Sequence, residues 1–146
     1  MQRRAFIKTL LAATTLVLVP LRALAGLWNA PAFQATKLQE ALAGMQIHQL
    51  TASSDIQVLA PDKAENGAVV QIEVTSRIPN TESIAIFVEH NPTPLIANFV
   101  FSGGADSFVI TRIKMAETSD VLAVIKVGNQ YFSAQKRVEV LENGCG

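Results

Sequence analysis

An immunoglobulin-like antiparallel β-sandwich of about seven strands, preceded by one N-terminal helix, is the mostly β fold this sequence predicts. Three observations predict it. Beyond residue 50, short stretches rich in Val, Ile, Phe and Thr alternate with turn residues at the spacing of a sandwich. Helical periodicity is confined to one stretch ahead of them. The chain beyond its first 25 residues has a length that suits one domain with one core.

The elements follow in order. Pro31 to Ala43 reads as the helix: Pro31 suits a first helical position, and Ala35, Leu38, Leu42 and Met45 recur at three- and four-residue spacing. Gly44 is placed to close its C-terminus. Ile56 to Leu59 is a short strand ended by Pro61, and Pro61-Asp62 and Glu65-Asn66-Gly67 carry turn chemistry. Ala68 to Ser76 alternates, with Val70, Ile72 and Val74 on one face and Gln71, Glu73 and Thr75 on the other. Ser83 to Glu89 and Leu95 to Phe101 are strands separated by a loop, because Pro92 and Pro94 cannot both sit inside a sheet. Ser102 to Asp106 turns the chain into Phe108 to Ile113. Val121 to Val127 is strongly apolar, and Gly128-Asn129 makes a tight turn into Tyr131 to Leu141. There is no internal repeat and no low-complexity linker.

The first 25 residues have another purpose. Gln2-Arg3-Arg4-Ala5-Phe6-Ile7-Lys8 precedes an apolar run, Thr9 to Val19, too short for the ~20 residues of a spanning helix. Ala23-Leu24-Ala25 is a small-residue cleavage site, which predicts processing between Ala25 and Gly26. The paired arginines resemble a twin-arginine signal and so predict export of a folded chain to the periplasm. The expected organisation is a signal peptide over residues 1–25, a sandwich domain over 26–141 and a flexible arm over 142–146. Four of the 12 basic residues and none of the 12 acidic ones lie in the signal, so the remainder carries a net charge of −4. A mildly acidic domain offers no footprint for nucleic acid.

Cys145 is the only cysteine and stands between Gly144 and Gly146. One cysteine cannot form an intramolecular disulfide. In an exported protein it is either intermolecular or free. Glycine neighbours give its tether the widest choice of backbone conformations, and from a last strand ending near Leu141 the sulfur could reach on the order of 10 Å. Glu142 and the terminal carboxylate would push the thiol above its usual ~8.5. That suits a group activated inside another protein's pocket rather than a catalytic thiolate, which needs a preorganised base.

The other candidate chemistry is sparse. His48 and His90 are the only histidines and, with one cysteine, cannot make a four-ligand zinc site. A blue-copper set is opposed by the missing loop beyond Cys145. His48 is expected to be a partly exposed strand residue and His90 to make a local hydrogen bond beside the proline loop. Arg112 and Lys114 bracket Ile113 as a small basic pair. No cofactor is implied.

Several stretches, taken in order, carry a resemblance. They are Ala64-Glu65-Asn66-Gly67, Asn91-Pro92-Thr93-Pro94-Leu95, Thr111-Arg112-Ile113-Lys114-Met115-Ala116, Thr118-Ser119 and the terminal Gly144-Cys145-Gly146. With the twin-arginine signal they resemble the SoxY family, the sulfur carriers of bacterial thiosulfate oxidation. The family tail usually reads Gly-Gly-Cys-Gly-Gly; here Asn143 stands for the first glycine and one terminal glycine is missing. The resemblance implies a non-enzymatic carrier paired with a second small sandwich subunit, SoxZ. It implies that a c-type cytochrome pair joins thiosulfate oxidatively to Cys145. A hydrolase then releases sulfate, and in some organisms a sulfur dehydrogenase oxidises the remaining sulfane atom. Cys145 would be the covalent attachment site, with Asn143, Gly144 and Gly146 as the arm. The competing reading is an exported binding module whose cysteine makes an intermolecular disulfide.

Overall fold

The computed structural model describes residues 29–142. Among the described residues, two short helices, α1 (Ala30–Gln34) and α2 (Leu38–Gly44), precede nine strands. These are β1 (Thr51–Ala52), β2 (Ile56–Leu59), β3 (Lys63–Asn66), β4 (Val70–Ser76), β5 (Ser83–Val88), β6 (Leu95–Val100), β7 (Phe108–Ile113), β8 (Ser119–Val127) and β9 (Gln130–Glu142). The larger sheet runs β1-β9-β8-β5-β6, with β3 also pairing with β9, and the smaller runs β2-β4-β7.

All seven predicted strands are present, and they pair with one another antiparallel. β1 and β3 are additional, and both lie parallel to β9. Lys63 to Asn66 carries turn residues at its end and only one buried side chain, Ala64, so neither alternation nor composition marks it as a strand.

The two sheets close on one core. Val70, Ile72 and Val74 of β4 face Ile84, Ile86 and Val88 of β5, with Val121, Ala123 and Ile125 of β8 and Val138 and Val140 of β9 beside them. The other face of the larger sheet is covered by the helices. There Ala85 and Phe87 of β5 meet Ala32, Ala41, Ile47, Leu95 and Val124. This is why β5 reads as an unbroken apolar run: all six residues are buried, odd and even positions against different layers. Each large side chain so buried contributes about 1.5–3 kcal/mol.

The single helix expected over Pro31 to Ala43 is broken in two. Ala35 is extended, at φ −61° and ψ 139°, and ends α1. The Asn29 side chain explains the packing: its Oδ1 accepts from the Ala32 amide at 3.3 Å, while its Nδ2 donates to the Gly44 carbonyl at 2.9 Å. A straight helix would hold residues 32 and 44 about 18 Å apart at 1.5 Å per residue. The break lets them touch. A Cβ on Gly44 would lie 2.8 Å from the backbone of Ala32, so this glycine serves close approach. Closure of α2 falls instead to Met45, whose amide bonds to Ala41 and Leu42, and to Gln46 at φ 61°.

His48 is not a strand residue: it is exposed in irregular chain between α2 and β1. Its neighbour Ile47 is drawn into the helix-side core, and sheet pairing begins only at Thr51. The β8–β9 turn is tight, with Gly128 at φ 57°. Glu82 staples that turn to the start of β5, accepting from the Lys126 ammonium and, at 2.8 Å, from the Gly128 amide. The hydrogen bond from Lys126 and then that from Gly128 hold the Glu82 carboxyl below its ordinary value. The Glu82 carboxylate in turn raises the Lys126 ammonium.

Candidate functional site

Cys145, Asn143, Gly144 and Gly146 lie outside the described residues, as do Ala25, Gly26 and the twin-arginine segment. The structure does describe the place from which the last four residues depart, the end of β9.

β9 is held in two different ways along its length. From Gln130 to Val138 it pairs residue for residue with β8, ending at Ser119↔Val138. Beyond that pair, β8 offers no further backbone partner. Thr118 substitutes a side chain: its Oγ1 accepts from the Val140 amide at 2.9 Å and lies 3.5 Å from the Val140 carbonyl. On the opposite edge, β3 runs alongside with the register Lys63↔Glu139, Ala64↔Val140 and Asn66↔Glu142. Gly67 continues it, donating its amide to the Glu142 carbonyl at 3.0 Å.

These holders are themselves held. The Gly67 carbonyl accepts from the Met115 amide at 2.7 Å, and Met115 is fully buried. Asn91 grips the chain on either side of Met115. Its Nδ2 donates to the Lys114 carbonyl at 2.7 Å and its Oδ1 accepts from the Ala116 amide at 2.8 Å. The Asn66 side chain accepts from the Ala68 amide at 2.7 Å and turns the chain out of β3. His90 sits over the same rim. Its amide donates to the buried Ser119 hydroxyl at 3.1 Å, and its Nδ1 lies 3.0 Å from the Thr118 carbonyl and 3.5 Å from Glu117. In place of the local hydrogen bond expected of His90, its bonds reach partners 28 and 29 residues away.

Lys136, Arg137 and Glu139 of β9 each meet an opposite charge. Asp62, just before β3, accepts from the Lys136 ammonium, and its carbonyl accepts from the Glu139 amide at 2.9 Å. The Lys136 hydrogen bond, and then its charge, hold the Asp62 carboxyl below its ordinary value. Lys63 meets Glu139 at 3.2 Å and Arg137 meets Asp120 at 3.4 Å. Lys114 lines a cleft of about 320 Å3 with Asn91, Pro92, Thr93, Leu95, Ile96 and Ala116. Arg112 instead stands opposite Gln71 in the smaller sheet.

The stretches singled out in the sequence thus converge: Ala64 to Gly67, Asn91, Lys114 to Ala116 and Thr118-Ser119 form one shell around the root of the tail. Read as sequence, these stretches carry the family resemblance, and nothing in them announces that they meet in space. Asn91 before a proline and Thr118 ahead of a strand are side chains suited to capping free backbone groups. Among the described residues no group of three or more His, Cys, Asp or Glu could hold a metal ion, and no helix is long and apolar enough to cross a membrane.

Comparison with known proteins identifies the family. The family described as "Sulfur oxidation protein SoxY" matches residues 40–145, a span that includes Cys145. The solved structure of the sulfur carrier protein SoxY from Chlorobium limicola f thiosulfatophilum is similar at 34% identity and a TM-score of 0.66, covering 77% of this chain and 99% of that one. A superoxide reductase (neelaredoxin) from Ignicoccus hospitalis is similar at 20% identity and a TM-score of 0.52, over 58% of this chain and 78% of that one. At that identity the likeness concerns the fold alone. A search of curated proteins found no match.

Proposed function

This chain belongs to the SoxY family of sulfur oxidation proteins, and on that premise we propose that it carries the sulfur intermediate of thiosulfate oxidation covalently on Cys145. The observation that carries the reading is the family match running through residue 145, onto a tail that leaves a firmly held strand end. A carrier needs a stable body and a narrow, side-chain-poor extension that several enzymes can admit in turn. Asn143, Gly144 and Gly146 supply the extension.

The chemistry balances without a catalytic group on this chain. The Cys145 thiol and thiosulfate join as a cysteine S-thiosulfonate, forming one S–S bond and releasing one proton and two electrons. A c-type cytochrome partner takes the electrons. Water then splits the terminal sulfur–sulfur bond, releasing sulfate and a proton and leaving a persulfide on Cys145. A hydrolase partner catalyses that step, and a sulfur dehydrogenase or an equivalent finishes the sulfane atom. The protein works in the periplasm, reached by the twin-arginine route after cleavage between Ala25 and Gly26, and pairs there with a SoxZ-like subunit.

Intact-mass analysis of protein purified from thiosulfate-grown cells tests the proposal. The expected result is a chain beginning at Gly26 that bears sulfur adducts, each removed by reductant and mapping to Cys145. A population consisting of disulfide-linked homodimer without adducts would support the binding-module reading instead.

A further inference from the structure

We propose that the outer face of the smaller sheet is a contact surface for a second copy of this chain, in a two-fold pairing that sets Ile110 against Ile110 and Glu73 of each copy against Arg112 of the other. This inference concerns the body of the domain and does not rest on the carrier reading.

The two outer faces of the sandwich differ. The larger sheet has the helix layer packed over it. On the smaller sheet, the side chains of β2, β4 and β7 that point away from the core are exposed or half-buried. Six large apolar side chains are exposed among the described residues, and four of them belong to this face. They are Leu59 of β2, Val69 one residue ahead of β4, and Phe108 and Ile110 of β7. Val69 falls in step with Glu73, because successive side chains of a strand point to opposite faces and Val70 is buried. Apolar side chains gathered on one face of a sheet mark a contact surface, where single ones scattered over a domain do not.

The charges on the face say what covers it. Glu73 stands between Leu59 on one side and Ile110 on the other. Arg112 is the next outward residue of β7 after Ile110, and so lies diagonal to Glu73. Among the described residues neither Glu73 nor Arg112 belongs to an ion pair. A two-fold axis in the plane of the face, crossing midway between them, exchanges the two positions. It sets each carboxylate over the other copy's guanidinium and leaves Ile110 close to the axis, against its counterpart. The patch is therefore complementary to itself in charge as well as apolar, which is the requirement of an isologous interface. Three short strands make a small contact, so the dimer should be weak, with a Kd in the micromolar range.

Sedimentation velocity of the exported chain, purified and kept reduced so that Cys145 cannot cross-link, tests this over roughly 1–300 µM. The parent chain should pass from monomer to dimer within that range. Glu73→Arg and Arg112→Glu should each raise the Kd roughly tenfold or more, because the symmetry turns both ion pairs into like-charge contacts. Mixed in equal amounts, these two variants should pair with each other about as tightly as the parent pairs with itself. The double variant Glu73→Arg/Arg112→Glu should recover self-association. Ile110→Lys, at an exposed position, should abolish the dimer and keeps the test open if a charge variant folds poorly. A parent chain that stays monomeric throughout would overturn the proposal. So would a dimer indifferent to Ile110→Lys, or charge variants that do not rescue one another on mixing. A monomeric parent whose association with the second sandwich subunit is lost in Ile110→Lys would also overturn it, and would give the face to that subunit.

Discussion

The two lengths of β9 are held by different physics. Gln130 to Val138 is one arm of a hairpin, with a backbone ladder to β8, a tight turn at Gly128 and the Glu82 staple. Its ladder and turn are local, while the Glu82 staple and the parallel strand β1 come from farther along the chain. Glu139 to Glu142 has no β8 backbone beside it and depends on Thr118 and on the parallel strand β3, both brought from elsewhere in the chain. The first length anchors the strand in the core. The second takes it to the rim of the sheet.

The comparison can be broken most severely from the core side. Ile125→Ala, at a fully buried β8 position opposite Phe132, should destabilise the domain by about 2–5 kcal/mol. Chemical denaturation should show both lengths of β9 unfolding together. Gly44→Ala should follow, at about 1–3 kcal/mol, because its Cβ meets the Ala32 backbone and the two helices must separate. That loss should leave exchange at Val140 and Gly67 unchanged, since the helices cover the far face of the larger sheet. Asn91→Ala sharpens the contrast from the other side. It strips the Ala116 amide of its acceptor at a cost of about 1–3 kcal/mol. Faster exchange should then appear at Ala116, Met115 and Gly67, while the β8–β9 ladder keeps its protection.

The smallest effect concerns pH. Glu82 and Asp62 both have lowered carboxyl values. A lowered carboxyl stabilises above its unfolded value and loses that contribution as pH falls through its folded one. The raised Lys126 reports the same pair from the other side: its share is present below the ordinary ammonium value and lost as pH rises past the folded one. Glu82→Gln should therefore flatten the acid limb of the stability–pH curve below about pH 4.5 and change little near neutrality. Denaturation midpoints across that range check it. An acid limb as steep as the parent's would show that the staple adds nothing to the hairpin half.

The hairpin half was legible in the sequence and the rim was not. The Gly128-Asn129 turn and the apolar run Val121 to Val127 are local patterns, and local patterns are what periodicity reads. Val70, Ile72 and Val74 fall on the predicted buried face for the same reason. The rim joins residues 62–67, 91, 114–118 and 139–142, and no local pattern announces that they meet. β3 was hidden because it pairs parallel at an edge and ends in Glu65-Asn66-Gly67, which read as a turn. The helix break was hidden because apolar spacing is preserved across it, while its cause is the contact between Gly44 and Ala32. His48 lies in Ile47-His48-Gln49-Leu50, ahead of the first strand pairing, where Ile47 serves the helix layer rather than a sheet. The reading of the tail rests on chemistry rather than pattern: a lone cysteine stands between two glycines.

Cys145→Ser is the most direct test of the central claim. The substitution lies beyond the folded strand and should change stability by no more than ~0.5 kcal/mol. Thiosulfate-dependent electron release should be measured with the partner cytochrome, using the parent chain and Cys145→Ser under identical conditions. Turnover is expected with the parent chain and none with the variant, at equal folding and equal association with the second subunit. Sustained turnover with Cys145→Ser would contradict the carrier role of this protein.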